Sequence, residues 1–380
     1  YSFALSAFFT SVKPEEVSQL TQLLVVSLIT LSQAIINHRG IRVTQILTDF
    51  SGYWILVIAI ILTVSLLAAA PSLDFSRLWT FTNNSGLPTG DNPVWPRTEM
   101  LPWLFALGFL HCAYTITGFD ASAHVSEETT GAARNVPRGI VQSVLVSGIF
   151  GWLMLCAVVL AMRDPAEAAT RGDGAFAFTL AEALPGWFAQ LLLGCIVLAQ
   201  YLCGLATVTS ASRMTFAFAR DGGLPASTWV RYISPRFRTP PVAIWGVCIA
   251  SVLFTVYADV YSTITAVCVI FLYISYVLPT AIGLVAHGRW WTEMGPWHLG
   301  RWFRPLAVLS ILGCGGLIVI GMQPPNEKAA IVVGAMCVVL AVLWFMVAQS
   351  RFPGPPQGML TAQQKLAIHA AEAAVHEGKA

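Results

Sequence analysis

The sequence predicts an all-α fold, that of a polytopic helical membrane protein. Three observations predict it. Hydrophobic residues make up 56% of the chain and charged residues only 11%, with a mean hydropathy of +0.69; soluble globular domains carry about 25% charged residues. The apolar runs are solid and about 20 residues long, the length a helix needs to cross a bilayer, whereas a transmembrane barrel would show alternating segments of about ten. Lys and Arg also divide unevenly between alternate loops, as in multi-pass proteins.

Apolar windows fall at roughly 18–37, 50–70, 101–125, 139–162, 187–217, 241–257, 262–287, 304–322 and 329–348, which makes nine spans. The fifth is long enough to tilt or to run past the bilayer. The loops at 38–42, 126–138, 213–238 and 289–304, with the C-terminal tail, hold 15 of the 21 Lys and Arg; the loops between them hold 6. The positive-inside rule then places the first set and the C-terminus in the cytoplasm and the N-terminus outside. This describes an integral, multi-pass protein of the plasma (inner) membrane.

The net charge of +2 gives no hint of nucleic acid as a partner. The eight cysteines all sit inside apolar stretches and form no CxxC pair, so they read as small buried hydrophobes. The opening YSFALSAFFTSVKPEE has no basic n-region and no A-x-A site, so it is not a signal peptide. It reads as the tail of an earlier span in a sequence lacking its N-terminal portion.

The third window is unlike the others. It runs FLHCAYTITGFDASAH, with Thr115, Thr117, Gly118 and Asp120 within six residues. In hydrocarbon every backbone N–H and C=O needs a partner, so non-helical backbone survives only where it lines a cavity or is buried in protein. Gly118, flanked by hydroxyls, is where a helix would unwind at least cost. Unwinding at Ile116 to Phe119 would expose peptide groups and helix-end dipoles to a polar ligand. Tyr114 would offer a ring to an apolar or cationic part of that ligand. The spacing allows a second reading: Leu101 to Phe119 is long enough for an unbroken span, with Asp120 at its cytoplasmic end and the small residues as helix contacts.

The stretch GFDASAHVSEETTGAARNVPRGI resembles the sixth-span signature of the amino acid–polyamine–organocation superfamily. SRMTFAFARDGGLP (212–225), followed by RTPPVAIW, is similar to the end of the eighth span and the start of the ninth. MGPWHLGRWFRPLAVL (294–309) resembles the amino acid/choline transporter branch, which includes GABA and choline permeases. The matches cover roughly Leu101 to Leu309. The resemblance implies a leucine-transporter-like fold of two inverted repeats, of which nine of twelve spans are present. Residues 1–70 would be the remnant of the first repeat (the end of span three, then spans four and five). Residues 71–287 would be the second repeat, 288–350 spans eleven and twelve, and 351–380 a cytoplasmic tail.

The implied function is that of a secondary transporter, not an enzyme, working by alternating access around the broken sixth span; the alternative is a membrane sensor or channel-like protein that keeps the fold without net transport. Its partners would be the bilayer and a small-molecule substrate: an amino acid, or a GABA-like or choline-like amine. No cofactor and no resident metal are expected, and the coupling ion stays open between H+ and Na+. The substrate would meet Tyr114, Thr115, Ile116, Thr117, Gly118 and Phe119. Sodium-coupled relatives of the fold use adjacent hydroxyls on span eight, which adds Thr207 and Ser210, near Thr209; Ser and Thr also serve as glue between membrane helices. Asp120 is a candidate for a gate or a proton carrier. Glu127 and Glu128, clustered with Arg134 and Arg138, would belong to an inner gate or be a solvated helix end. Span five carries no Lys, so proton coupling through that position is not expected. His111 and His124 read as packing residues or as proton relays, and Tyr273 and Tyr276 as core or gate lining. No HExxH, Walker A or GxSxG motif is present.

Overall fold

The computed structural model describes residues 19–89, 97–257, 261–292, 294–324 and 326–350, with isolated positions at 352, 367 and 370. The expected end of span three and nearly all of the tail lie outside the described residues. Within them the chain is a series of helices joined by short turns. The principal ones are α1 (Gln19–His38), α2 (Ile41–Ala69), α3 (Leu101–Thr115), α4 (Ala121–His124), α5 (Ala132–Ala161), α6 (Ala175–Ala183), α7 (Gly186–Arg220), α8 (Pro241–Tyr257), α9 (Tyr261–Ala286), α10 (Phe303–Gly321) and α11 (Glu327–Leu343). Seven helices are long and apolar enough to cross a membrane; Leu101–Thr115 and Pro241–Thr255 are shorter apolar helices. Together they correspond to the nine windows.

Three boundaries differ from the apolar windows, each for a local reason. α2 begins at Ile41 because Gly40, at φ +133°, turns the chain immediately after α1. The stretch IRVTQILTD then holds no Gly or Pro to stop a helix before the apolar run starts. α5 begins at Ala132 although Pro137 lies inside it; near a helix start proline removes a single backbone bond. The third window stops early, at Thr115.

Packing divides the long helices into two groups. α1, α2, α5, α7 and α8 pack together, α2 against α5 and α7, and α8 against α1 and α7. Leu62, Leu66, Ala157, Val158, Leu180 and Leu192 form the core of this group. α9 packs on α10 and α11 through Ala266, Val267, Ile270, Ala329 and Val333. Close approach of α1 and α7 relies on Gly204, where a Cβ would stand 2.5 Å from Gln33 Nε2. There Gln33 Nε2 donates to the Tyr201 carbonyl at 2.9 Å, and Thr209 donates to Asn37 Oδ1 at 2.7 Å.

The third window straddles the two groups. α3 packs mainly on α10 and α9, whereas the short α4 that follows it packs on α5 and α7. The connection between them, residues 116–120, is therefore where one chain passes from one packing group to the other.

Candidate functional site

α3 ends at Thr115, and Ile116 (φ −99°, ψ 0°) no longer has helical geometry. Residues 116–120 form turns. Gly118 has φ +85°, a conformation that suits glycine and few other residues, and nothing stands within 4 Å of where its Cβ would be. The backbone bonds shorten here: Thr117 N–H donates to the Tyr114 carbonyl and Ala121 N–H to the Gly118 carbonyl. The helical repeat is thus interrupted at the T-x-T-G-F stretch, and the unbroken-span reading does not hold.

A helix end leaves its last carbonyls outside the helical ladder, and side chains add bonds around it. Thr115 Oγ1 donates to the His111 carbonyl at 2.9 Å, and Thr117 Oγ1 to the Tyr114 carbonyl at 2.6 Å. Tyr273 on α9 donates its hydroxyl proton to the Ala113 carbonyl at 3.3 Å. The two threonine hydroxyls are therefore engaged within the turn, and only their lone pairs stay open to a ligand.

One turn along α9, Tyr276 holds the interruption from the side. Its hydroxyl accepts from Gly118 N–H at 3.2 Å and donates to Asp120 Oδ1 at 2.8 Å. Its ring lies against Phe119, with centroids 4.4 Å apart. The second carboxylate oxygen of Asp120 is 3.0 Å from His124 Nε2. Asp120 thus sits between a phenol and an imidazole, half-buried. Two glycines of α5 admit the segment: Cβ atoms at Gly151 and Gly139 would stand 3.3 Å from Thr115 Cγ2 and Ser122 Oγ.

Below α4, Glu127 and Glu128 are fixed to the end of α7. Arg220 grips Glu127 with two bonds of 2.8 and 2.9 Å, and Arg213 Nε donates to Glu128 Oε1 at 2.9 Å. The Arg220 hydrogen bonds hold the Glu127 carboxyl below the usual carboxylate range. The cluster expected with Arg134 and Arg138 is a correction: both are exposed, and neither takes part in an ion pair among the described residues. They sit at the start of α5, which packs against α4 as α7 does, but it is the guanidinium groups of α7 that reach the two carboxylates. Arg213 is the buried member, with 9% of its side chain exposed, and its Nη1 has no hydrogen-bond partner among the described residues.

The structure gathers Tyr114 to Asp120 in one segment with Tyr276, and Glu127 and Glu128 with α7. Thr207 and Ser210 stay apart from it. Thr207 is exposed and bonds back to the Cys203 carbonyl at 3.0 Å. Among the described residues no hydrogen bond, ion pair or ring contact joins either one to the interruption. Sequence reasoning left Tyr273 and Tyr276 unassigned; their spacing of three puts both on one helix face, and that face meets the interrupted turn.

A family profile described as "Amino acid permease" matches residues 1–347. The chain belongs to the amino acid permease family. An amino-acid permease BAT1 homolog from Oryza sativa is 27% identical over 354 residues, covering 86% of this chain and 65% of the relative. Amino-acid permease BAT1 of Arabidopsis thaliana is also 27% identical, over 86% of this chain and 66% of its own length. A GABA-specific permease of Saccharomyces cerevisiae is 27% identical over 64% of this chain and 44% of its own. The chain thus spans about two thirds of the plant relatives and under half of the yeast one. Family and apolar helices together make this permease an integral, multi-pass membrane protein, and the family is one of permeases rather than enzymes.

Proposed function

We propose that the permease is a secondary active transporter of amino acids or amino-acid-derived amines, working by alternating access around the interrupted helix at 116–120. The observation that carries the reading is the passage of this one chain between two packing groups at a non-helical turn. The peptide groups at Gly118 have left the helical ladder for a turn bond to Ala121 and a side-chain bond to Tyr276, partners that a polar ligand could exchange with. A turn lying between two packed bodies is also where their relative movement would alter the ligand's surroundings. Tyr114 to Phe119 would contact the substrate, with Thr207 and Ser210 on the facing helix in the closed form. Asp120 and the Glu127 and Glu128 pairs would respond to closure. The inverted-repeat division at residues 71–287, the cytoplasmic C-terminus and the plasma-membrane location belong to the same reading.

The GABA-specific permease among the relatives makes GABA a first compound to try, beside neutral, basic and acidic amino acids and choline. The full-length protein is reconstituted in proteoliposomes and counterflow of each labelled compound is measured. Saturable counterflow of an amino acid or amine is expected. Flux that never saturates, or none with any compound, overturns the proposal.

A further inference from the structure

Two loops on one face of the protein carry a residue pairing that the interrupted helix does not use. α8 is a shorter apolar helix and α9 is long enough to span a membrane; taken as two consecutive crossings, they bring the loop before α8 and the loop after α9 out on the same face. The second reads HGRWWTEMGPWHLGRWFR (287–304). It holds Arg289, Arg301 and Arg304, four tryptophans, and Glu293 as its one carboxylate. Part of the first reads STWVRYISPRFR (227–238), with Arg231, Arg236 and Arg238 and no carboxylate.

The 287–304 loop is folded back on its own helix ends. Arg289 N–H and Trp290 N–H both donate to the Ala286 carbonyl, and Gly288 N–H, at φ +79°, donates to the Trp291 carbonyl. The His287 ring stacks on Phe303, centroids 4.7 Å apart, and meets the edge of Trp291. With His287, Trp291 and Phe303 holding the loop against α9 and α10, other indoles turn outward. Trp290 is 78% exposed and Trp302 58%, and the Arg301 guanidinium lies 5.7 Å from the Trp302 ring. In the neighbouring loop Trp229 is 77% exposed, with Tyr232 and Ile233 also exposed.

Exposed rings on loops between crossing helices would lie at the level of the lipid headgroups. An indole prefers that level because its face is apolar and its N–H is polar. Guanidinium groups match phosphate by paired hydrogen bonds, and six arginines against one carboxylate give the face a positive charge. We propose that loops 227–238 and 287–304 form a binding surface for anionic phospholipid headgroups. Arg289, Arg301 and Arg304 meet the phosphates, while Trp290, Trp297 and Trp302 seat among the glycerol and first acyl carbons. The surface does not depend on what the permease carries.

The full-length permease is placed in nanodiscs of equal phosphatidylglycerol and phosphatidylcholine, with one lipid at a time brominated to quench tryptophan. The expected result is stronger quenching by the anionic lipid, by roughly a factor of two or more, lost at about 1 M salt where charges are screened. R289Q/R301Q/R304Q should bring the two lipids to parity, and the matching triple Lys variant should keep most of the preference. Should the Gln triple fail to fold, Arg301→Gln alone should lower the ratio part-way. Equal quenching in the wild type overturns the proposal, as does a preference that survives the Gln substitutions. Soluble glycerol phosphate should not compete at millimolar concentration; if it abolishes the preference, the loops bind free phosphate and not a lipid surface.

Discussion

The Tyr276 hydroxyl and the Asp120 carboxylate are 2.8 Å apart, and the same hydroxyl takes the Gly118 N–H. A residue of α9 thus fixes both the peptide that leaves the helix and the first carboxylate after it. Tyr276→Phe keeps the ring against Phe119 and removes both bonds. A hydrogen bond to a charged group is worth about 1.5–3 kcal/mol, and about 1.4 kcal/mol is tenfold in an equilibrium. The expected outcome is a fall in counterflow of about tenfold or more with little change in Tm. A variant with wild-type counterflow would reduce Tyr276 to a packing residue.

Gly118 and Gly204 should separate function from stability. Gly118→Ala meets no neighbour, so its cost is the backbone term alone, about 1–2 kcal/mol for an L-residue in that region. It should impair counterflow while leaving the folded helices intact. Gly204→Ala drives a Cβ into the Gln33 amide, which must turn away from the Tyr201 carbonyl within a buried contact of α1 and α7. Overpacking of about 1–3 kcal/mol, with loss of the Gln33 bond, should lower Tm clearly. Thermal unfolding in detergent and counterflow in liposomes, measured on both variants, check the contrast.

How far the sequence reached can be judged at these residues. The nine apolar helices of the described residues, seven of them long enough to span a membrane, were legible because apolar length is set by bilayer thickness. The interruption was half legible: T-x-T-G-F lowers the cost of leaving the helix, but spacing alone also allowed an intact span. Partners were not legible. Glu127 and Glu128 stand close to Arg134 and Arg138 in sequence, yet they pair with Arg220 and Arg213, about 90 residues on, because the end of α7 packs beside α4 and brings its guanidinium groups there. Tyr276 lies 156 residues from Asp120, and nothing local marks it as more than an aromatic in a span.

The two ion pairs should differ in weight. Glu127 and Arg220 are 64% and 40% exposed, and a solvated pair contributes about 0–1 kcal/mol. Glu127→Gln should therefore shift stability little. Glu128→Gln keeps an oxygen for Arg213 Nε but removes the carboxylate charge facing a guanidinium that is 9% exposed and whose Nη1 has no hydrogen-bond partner among the described residues. Removing one partner of a buried charge costs about 3–5 kcal/mol; Glu128 is itself partly exposed, so about 2 kcal/mol is expected. The Glu127 carboxyl, with its pKa lowered by Arg220, adds stability that is present above the ordinary Glu pKa and lost as pH falls through the lowered one. Stability measured from pH 7 to pH 5 should thus differ little between wild type and Glu127→Gln, and the difference should close only at more acid pH.

Asp120 is the only carboxylate between Thr115 and Val125, and its two oxygens are shared between Tyr276 and His124. Span five offers no Lys, so a proton that accompanies substrate would need another carrier near the turn. Protonating Asp120 would remove the charge that His124 faces at 3.0 Å and turn one oxygen from acceptor to donor. Gain or loss of that proton would then loosen or tighten the hold of α9 on the turn. Asp120→Asn keeps an oxygen to accept from Tyr276 but cannot carry a proton. Uptake by the full-length protein is compared with and without an imposed proton gradient, beside counterflow, which needs no gradient. If the gradient drives uptake, Asp120→Asn should abolish that response and leave counterflow measurable, and His124→Gln should move the pH profile without abolishing it. An Asp120→Asn variant that stays fully proton-driven removes Asp120 from coupling. Wild-type uptake indifferent to the gradient would leave the carboxylate only its bond to Tyr276, as part of the fixture that keeps residues 116–120 out of the helix.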